Sequence, residues 1–338
     1  MKKKILFLFS LLFIFGCQAN LEKHSESFLS FDTYIEFTSY TNSESEFDEY
    51  YKFTKTSFEK YHKLFDAYNN YSKINNVKTI NDNAGKKAVV VDDELFNLIE
   101  KSKKMYLDTK QKNNIALAPV ILEYKKIMDE YEKNKDIKNP SLSKLNKLNK
   151  CTNIDNIVLN YNEKSVYLKK ACAKIDVGSV AKGYTSSIIA RQLEEKGMKS
   201  GIINAGGNVV LIGKKDNKKD YSIGIANPND PSNYKVIIKE SNTNIVTSGD
   251  YQRYYIIDGI KYNHIIDSDT LKPANINKSV TIILGDGLMA DYLSTECFML
   301  DLKDIDVLSK QFSFEYVVID KNDKITISEG LKDAVEIK

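Results

Sequence analysis

Residues 175–213 constrain the fold more than any other segment of this chain. Asp176 is followed by a Gly-Ser turn, a helical pattern that stops at Gly197, a short strand at 202–203 and a glycine turn at 204–208. Helix N-termini and glycine turns both direct backbone N–H groups outward, where they bind anions. The segment therefore predicts two neighbouring anion sites and a ligand that carries phosphate, without identifying that ligand.

A second block of sequence offers a site for a cation. The strand 279–284 ends at Gly285-Asp286-Gly287, and an apolar helix begins there. Asp291 and Thr295 are four residues apart in this helix, so their side-chain oxygens lie on one face. Mg²⁺ binds to oxygen and takes one or two protein ligands together with water and substrate phosphates. Because D-x-x-x-T is common in helices, this spacing alone does not establish a metal site.

Five motifs occur in one order along the chain and carry a resemblance to a known family. They are D-x-G-S-x-A-K-G-Y at 176–184, N-A-G-G-N at 204–208, T-S-G-x-Y at 247–251, H-I-I-D at 264–267 and A-D-x-L-S-T at 290–295. In order and spacing they resemble the ApbE family of FAD:protein FMN transferases. The amino-terminal half is similar but less specific, at 31–33, 65–68 and 113–120. The resemblance covers residues 28 to 330.

The resemblance implies an α+β fold with mixed or antiparallel sheets, flanking helices and a two-lobed, T-fold-like architecture. Strands in pairs, without regular βαβ alternation, favour α+β independently. The implied reaction is Mg²⁺-dependent transfer of FMN from FAD to a Thr or Ser hydroxyl of a target protein, with release of AMP. Flavin subunits of Rnf- or Nqr-type electron-transfer systems are the implied acceptors. The net charge of +3 is accounted for by the three lysines at 2–4, which gives no reason to expect nucleic-acid binding.

The family's functional positions transfer to individual residues of this chain. The implied Mg²⁺ ligands are Asp291, Thr295 and an oxygen in the turn at Ser179. His264 is the implied catalytic residue, and Asp267 is expected to hold its tautomer. The positions implied to contact the flavin nucleotide are Phe31, Tyr68, Asn113, Asn114, Asp176, Lys182, Asn204, Gly206, Gly207, His264 and Ile265.

Structural interpretations of some of these residues stay open. The structural alternative for Asp176 is that it caps the helix after Gly178, although the motif favours a ligand contact, and residues 204–208 are compatible with a simple hairpin turn. Asn113 and Asn114 stand where many family members carry Asp, so a charged contact from that loop is not expected.

Other functions remain compatible with the motifs. The same site with water as acceptor would make a Mg²⁺-dependent FAD pyrophosphatase that yields FMN and AMP. A non-catalytic flavin-binding lipoprotein is disfavoured because both Asp291 and Thr295 are present. A solute-binding lipoprotein would need two similar α/β lobes, which the strand pattern does not support.

The amino terminus is typical of a bacterial lipoprotein. Residues 1–17 combine three lysines, a short apolar run and Gly16-Cys17, which predicts a signal peptide that ends at a lipidated Cys17. Secretion without lipidation is the alternative. Residues 18–28 are expected to form a polar tether, and residues 29–332 a single domain at the extracytoplasmic face of the cell membrane.

Three cysteines remain if Cys17 is lipidated. An odd number without C-x-x-C spacing argues against a zinc site or a disulfide framework. Cys172 and Cys297 lie among small or apolar residues and are predicted to be core thiols, while Cys151 is left unassigned.

Local patterns predict several individual elements. A strand is expected at 33–38, a helix at 45–61, and a helix at 93–110 with Asp92 or Asp93 as N-cap. Hairpins are expected at 157–168 and at 254–266, the second around Asp258-Gly259. Residues 125–150 hold eight lysines and no strong period, and a solvated helix and loop is favoured there over a basic binding patch.

Overall fold

The computed structural model describes residues 21–338. Within this range the strands are β1 (Glu22–Ser30), β2 (Thr33–Thr41), β3 (Val89–Val90), β4 (Ile157–Asn160), β5 (Ser165–Leu168), β6 (Ser200–Ala205), β7 (Asn208–Gly213), β8 (Tyr221–Asn227), β9 (Asp230–Glu240), β10 (Asn244–Gly249), β11 (Tyr254–Ile257), β12 (Ile260–Asn263), β13 (Asn277–Leu284), β14 (Glu315–Asp320), β15 (Ile325–Ile327) and β16 (Val335–Ile337). The helices are α1 (Glu44–Phe65), α2 (Val77–Asp82), α3 (Asp93–Asp108), α4 (Ala118–Tyr131), α5 (Leu142–Asn149), α6 (Ala181–Glu195), α7 (Gly287–Phe298) and α8 (Leu302–Phe312).

The largest sheet has eight strands in the order β1-β2-β6-β7-β10-β13-β14-β15. All neighbouring strands in it are antiparallel. Alternate residues of each strand face the helices α1, α6 and α7, and Ile35, Phe37 and Ile282 are fully buried there. This face forms the main hydrophobic core and confirms the predicted α+β class.

The other face of this sheet is partly covered by a three-stranded sheet in the order β16-β9-β8. Leu211 and Ile245 of the large sheet and Val236 and Ile238 of the small sheet form a second buried cluster between them. From the β1–β2 end of the large sheet, only Tyr40 packs against this cluster.

A third cluster joins α4 and α5 to the hairpin of β11 and β12. Asp258 and Gly259 both have positive φ, as the predicted two-residue hairpin turn requires. Residues 125–150 are more regular than predicted, because α4 and α5 fill most of the segment and bury Ile127 and Leu145. The interpretation as helix and loop is confirmed.

The helices begin close to their predicted positions. α1 starts at Glu44 and runs four residues beyond the predicted end, to Phe65. α3 starts at Asp93, and the Asp92 side chain accepts the Glu94 N–H as the predicted N-cap.

The predicted tether is wrong for residues 22–28. These residues belong to β1, which pairs with β2 along its whole length from Glu22–Thr41 to Ser30–Thr33. β1 is the edge strand of the large sheet, and only Phe28 and Ser30 in it are buried. Its polar composition therefore reflects an exposed edge. The predicted signal peptide and Cys17 lie outside the described residues.

Two cysteines form a disulfide, contrary to the prediction. Cys151 and Cys172 are bonded with their Cα atoms 5.6 Å apart, and Cys172 is exposed. Cys297 is a free, buried thiol, as predicted. An odd count excludes only complete pairing, so one pair and one free thiol were compatible with it.

Among residues 21–338, no helix combines the length and the apolar character that crossing a membrane requires.

Candidate active site

A cleft of 1530 Å³ lies where one end of the large sheet meets α4, the N-terminal end of α6 and the part of α7 that carries Asp291 and Thr295. It brings together residues that are far apart in sequence. All of the predicted site residues within 21–338, except Asp267, line it: Phe31, Tyr68, Asn113, Asn114, Asp176, Ser179, Lys182, Asn204, Gly206, Gly207, His264, Ile265, Asp291 and Thr295.

Asp291 lies at the bottom of the cleft and is 3 % exposed. Its Oδ2 accepts the Gly183 N–H at 2.8 Å, across the contact between α6 and α7. A Cβ at Gly183 would lie 2.2 Å from the Gly287 carbonyl oxygen, so glycine is needed for this close approach. Burial raises the pKa of Asp291, and the Lys182 charge and the Gly183 N–H oppose that rise. A cation bound beside Asp291 would balance the rest of the negative charge on its carboxylate.

Further oxygens near Asp291 suit a hard cation. Thr295 also lines the cleft, and its hydroxyl lies 3.3 Å from Ser248 Oγ. Asn208 Oδ1 is buried and has no hydrogen-bond partner within residues 21–338. The Ser179 hydroxyl donates to Asn113 Oδ1 at 2.8 Å and keeps lone pairs for another contact. This set of carboxylate, hydroxyl and amide oxygens fits Mg²⁺.

The N-terminus of α6 contributes positive charge to the cleft. Its N-cap, Val180, has no side-chain oxygen, and the Ala181 and Gly183 N–H groups donate to the Val177 carbonyl and to Asp291. Lys182 is half-buried in that turn and makes no ion pair within the described residues. A cation is unfavourable at a helix N-terminus unless an anion balances it. The positive end of this helix and the Lys182 ammonium together suit a phosphate.

Asp176 is held by two donors. Its Oδ1 accepts the Gly178 N–H at 2.7 Å, and its Oδ2 accepts the Tyr68 hydroxyl at 2.7 Å. Because α6 begins at Ala181, Asp176 closes the turn before the helix rather than capping it. The Tyr68 ring is 38 % exposed, and Lys125 Nζ lies 5.1 Å from its centre. Tyr68 thus presents a fixed aromatic surface that a flavin or adenine ring can stack on.

Asn113 and Asn114 use their amide groups within the protein. Asn113 Nδ2 donates to the Tyr292 carbonyl, and Asn114 caps a 3-10 turn through the Ala116 N–H. The Asn113 N–H donates to the buried carboxylate of Glu296 at 2.6 Å. Both residues line the cleft, but the side chains serve mainly to order the loop.

Two tight turns form the rim of the cleft. Phe31 and Asp32 join β1 to β2 with φ of 51° and 54°. Positive φ is rare for a bulky residue and holds the Phe31 side chain at the rim. Gly206 and Gly207 join β6 to β7, also with positive φ. A Cβ at Gly206 would lie 2.5 Å from Thr33 Oγ1, so this glycine allows the two turns to pack together.

The predicted contact between His264 and Asp267 is wrong. The Asp267 carboxylate accepts the N–H groups of Asp269 and Thr270 and pairs with Lys112 Nζ at 3.1 Å. His264 Nδ1 instead lies 3.2 Å from the Arg253 carbonyl oxygen. Residues three apart in an extended segment point to opposite faces, which explains the separation.

His264 is a neutral imidazole at neutral pH. Desolvation, followed by the charges of Arg253 and Lys182, lowers its pKa to about 4. A carbonyl partner requires the proton on Nδ1, so Nε2 carries the free lone pair. His264 can therefore accept a proton in the cleft.

Arg253 was missed by the sequence predictions. Its guanidinium lines the cleft and donates to the Asp32 carbonyl at 3.0 Å. The signal was present in the composition: of 49 basic residues only Arg191 and Arg253 are arginine. An arginine in a chain that otherwise uses lysine indicates a position that needs a planar, multidentate donor, such as a phosphate contact.

The fold and cleft define an α+β protein whose acidic, hydroxyl and basic groups suit a phosphate-bearing ligand. The sequence profile of the ApbE family matches residues 31–318, and the chain belongs to this family. A FAD:protein FMN transferase of Klebsiella pneumoniae (strain 342) is 27% identical over 257 residues, 75% of this chain and 77% of that protein. One of Treponema pallidum (strain Nichols) is 28% identical over 184 residues. That match spans about half of each chain (51%).

Solved structures share the fold. The ApbE protein of Thermotoga maritima has a TM-score of 0.82 at 24% identity and covers 93% of this chain and 99% of its own. The flavin transferase ApbE from Vibrio cholerae has a TM-score of 0.78 at 19% identity, with the same coverage. The predictions of family and fold are confirmed.

Proposed function

We propose that this protein is an enzyme that transfers FMN from FAD to a Thr or Ser hydroxyl of a target protein and releases AMP. The observation that carries the proposal is the content of one cleft: the buried oxygen donors around Asp291, the unpaired Lys182 and a neutral His264. The relatives' names, FAD:protein FMN transferase, agree with it.

FAD binding follows from the cleft lining. Tyr68 and Phe31 offer aromatic surfaces for the rings, and Ile265 adds a buried apolar contact. Lys182, the N-terminus of α6 and Arg253 place positive charge where a diphosphate would lie.

Asp291, Thr295 and an oxygen from Ser179 or Asn208 would hold Mg²⁺. When bound, Mg²⁺ would neutralise charge on the diphosphate. Phosphoryl transfer depends mainly on such neutralisation and on in-line placement of the nucleophile.

The acceptor hydroxyl attacks the phosphorus of the FMN half of FAD. A new P–O bond to the acceptor forms, the bond to the bridging oxygen breaks, and AMP leaves with that oxygen. His264 Nε2 takes the proton of the hydroxyl, since its Nδ1–H is held by the Arg253 carbonyl. Lys182 and Arg253 stabilise the charge on the phosphate oxygens.

The enzyme is proposed to act at the extracytoplasmic face of the cell membrane, anchored by a lipid on Cys17. The disulfide between Cys151 and Cys172 supports this location, because disulfides persist in oxidising compartments. Flavin-bearing subunits of Rnf- or Nqr-type redox complexes are the proposed acceptors.

The site is tested by Asp291→Ala, with Asp286→Ala as its matched control on the same helix. Asp286 is the exposed N-cap of α7 and does not line the cleft. Asp291→Ala should lower Mg²⁺-dependent AMP release from FAD by at least about a hundredfold, because a metal ligand is lost. FAD binding, measured by flavin fluorescence, should persist, since the ring contacts lie elsewhere.

Asp286→Ala should lose only about 1 kcal/mol of stability and keep its AMP release. Retained turnover in Asp291→Ala at the same Mg²⁺ concentration would show that Asp291 is not a metal ligand and would refute the proposed site.

A further inference from the structure

One part of the cleft lies beyond the residues assigned to FAD. Six consecutive residues of β8, from Tyr221 to Ala226, line this part. Consecutive residues point alternately to opposite faces of a strand, so a run of them borders a cavity only along the strand's edge. The cleft is therefore bounded on this side by the backbone edge of β8.

That edge is unpaired within the described residues. β8 is the last strand of the β16-β9-β8 sheet and pairs only with β9. The Lys239 N–H donates to the Ala334 carbonyl, and the Lys338 N–H donates to the Lys235 carbonyl. The backbone N–H and C=O groups of odd-numbered residues of β9 thus hydrogen-bond with β16, and those of even-numbered residues hydrogen-bond with β8.

The register then identifies the free groups of β8. Val236, Ile238 and Glu240 of β9 pair with Ile225, Ile223 and Tyr221. Backbone groups alternate in direction along an antiparallel strand, so Ser222 and Gly224 turn their N–H and C=O groups toward the cleft.

The floor beside this edge is the uncovered end of the large sheet. Glu36, Thr38 and Tyr40 of β2 line the cleft there, together with Lys23 of β1, the register partner of Tyr40. The Tyr40 and Tyr221 rings are 6.4 Å apart, so this part of β2 faces the start of β8. A mostly polar surface next to a free strand edge is suited to binding one additional strand.

We infer that the acceptor protein binds here, as an extended segment that adds a strand to the edge of β8. The inference rests on the proposed function, which needs a second, polypeptide substrate. Main-chain hydrogen bonds to Ser222 and Gly224 hold the segment, and the polar floor contacts its alternate side chains. The same cleft continues to His264, so the bound segment delivers its hydroxyl to the phosphate.

The volume supports two occupants. A pocket for one small ligand usually measures about 300–1,000 Å³, and this cleft measures 1530 Å³. The predicted FAD contacts account for the part near Tyr68, Asp176 and Lys182, and they leave the β8 edge unassigned.

The test compares Ser222→Pro with Ile337→Pro in the full chain. Proline at 222 removes a free-edge N–H beside the cleft. Ile337 lies on the far edge of the same sheet, is 57 % exposed and by the same register also faces away from β9. FMN transfer is measured by mass on a flavin-subunit domain of an Rnf- or Nqr-type complex, and FAD binding is measured by fluorescence.

Ser222→Pro should lower kcat/KM for this acceptor domain by about tenfold or more and leave FAD binding unchanged. Ile337→Pro should transfer FMN as the parent does. Unchanged transfer by a folded Ser222→Pro would overturn the inference while leaving the proposed function intact. No transfer by the parent protein would overturn both.

Hydrogen exchange on the unsubstituted protein gives a second measurement that does not depend on Ser222→Pro folding. The amides of Ser222 and Gly224 should gain protection when the acceptor domain is added and not when FAD alone is added. Protection by FAD alone would assign the edge to FAD. Protection already present before any addition would assign it to another segment of this chain, and either result would overturn the inference.

Discussion

His264 owes its proposed role to its burial and to two neighbours, Arg253 and Lys182, which together fix its proton. The Arg253 carbonyl selects the tautomer, and burial, followed by the Arg253 and Lys182 charges, disfavours the imidazolium. An unperturbed histidine has a pKa of about 6.5 and would be partly protonated in mildly acidic conditions. His264 keeps its lone pair through that range.

The pH dependence of catalysis should show this depressed pKa. As pH falls, kcat/KM for FAD should stay level through 6.5 and drop only as His264 is protonated near pH 4. The quantity to measure is initial FMN transfer at each pH, with circular dichroism to confirm that the protein is folded. An acid limb centred near 6.5 in folded protein would contradict the assigned environment.

The same protonation has a consequence for stability. The folded-state pKa of His264 lies below its unfolded value, so the unfolded chain binds the extra proton first. The contribution of His264 to stability is therefore complete above about pH 6.5 and is lost as pH falls toward 4.

Residue identities in the cleft could be predicted from the motifs, but their partners could not. Asp176 accepts a hydrogen bond from the Tyr68 hydroxyl, which is 108 residues away in sequence, and nothing local to either residue indicates that contact. For Asp267 the local pattern was misleading, because H-x-x-D in an extended segment separates the two side chains. For Arg253, the only indication in the sequence was the rarity of arginine in this chain.

Among the elements, the segment from β5 to α6 depends on a covalent link. The Cys151–Cys172 disulfide ties the chain after α5 to the segment that leads into Asp176. It closes a loop of 21 residues. A loop of this size restricts the unfolded chain appreciably.

Replacing both cysteines by serine should lower the free energy of unfolding by about 3 kcal/mol. The measurement is urea unfolding of Cys151→Ser/Cys172→Ser beside the parent, each with and without dithiothreitol. The reductant should lower the parent's midpoint to that of the variant and leave the variant unchanged. Equal midpoints for the oxidised parent and the variant would show that the disulfide does not stabilise the fold.

Elements with a local chemical cause were predictable. The Asp258-Gly259 turn specifies the hairpin of β11 and β12, and Asp92 specifies the start of α3. β1 was not predictable from its own residues, because an edge strand with one exposed face has the composition of a linker. Its place is determined by pairing with β2.

At the scale of the whole molecule, the layers account for the position of the cleft. Helices cover one face of the large sheet, and the small sheet covers only part of the other. The turns at 30–33 and 204–208 meet the start of α6 and the Asp291–Thr295 part of α7 at the same edge. The motifs predicted the segments that meet there, whereas the free edge of β8 follows only from the order of strands in the small sheet.

The most direct test of the account is the intact mass of an acceptor. The protein is incubated with FAD, Mg²⁺ and a flavin-subunit domain of an Rnf- or Nqr-type complex that carries a target Thr. The account predicts that this domain gains the mass of one FMN, only with Mg²⁺ and not with Asp291→Ala. FMN and AMP in solution without a mass gain would contradict it and indicate a pyrophosphatase, and intact FAD under all conditions would indicate a binding protein.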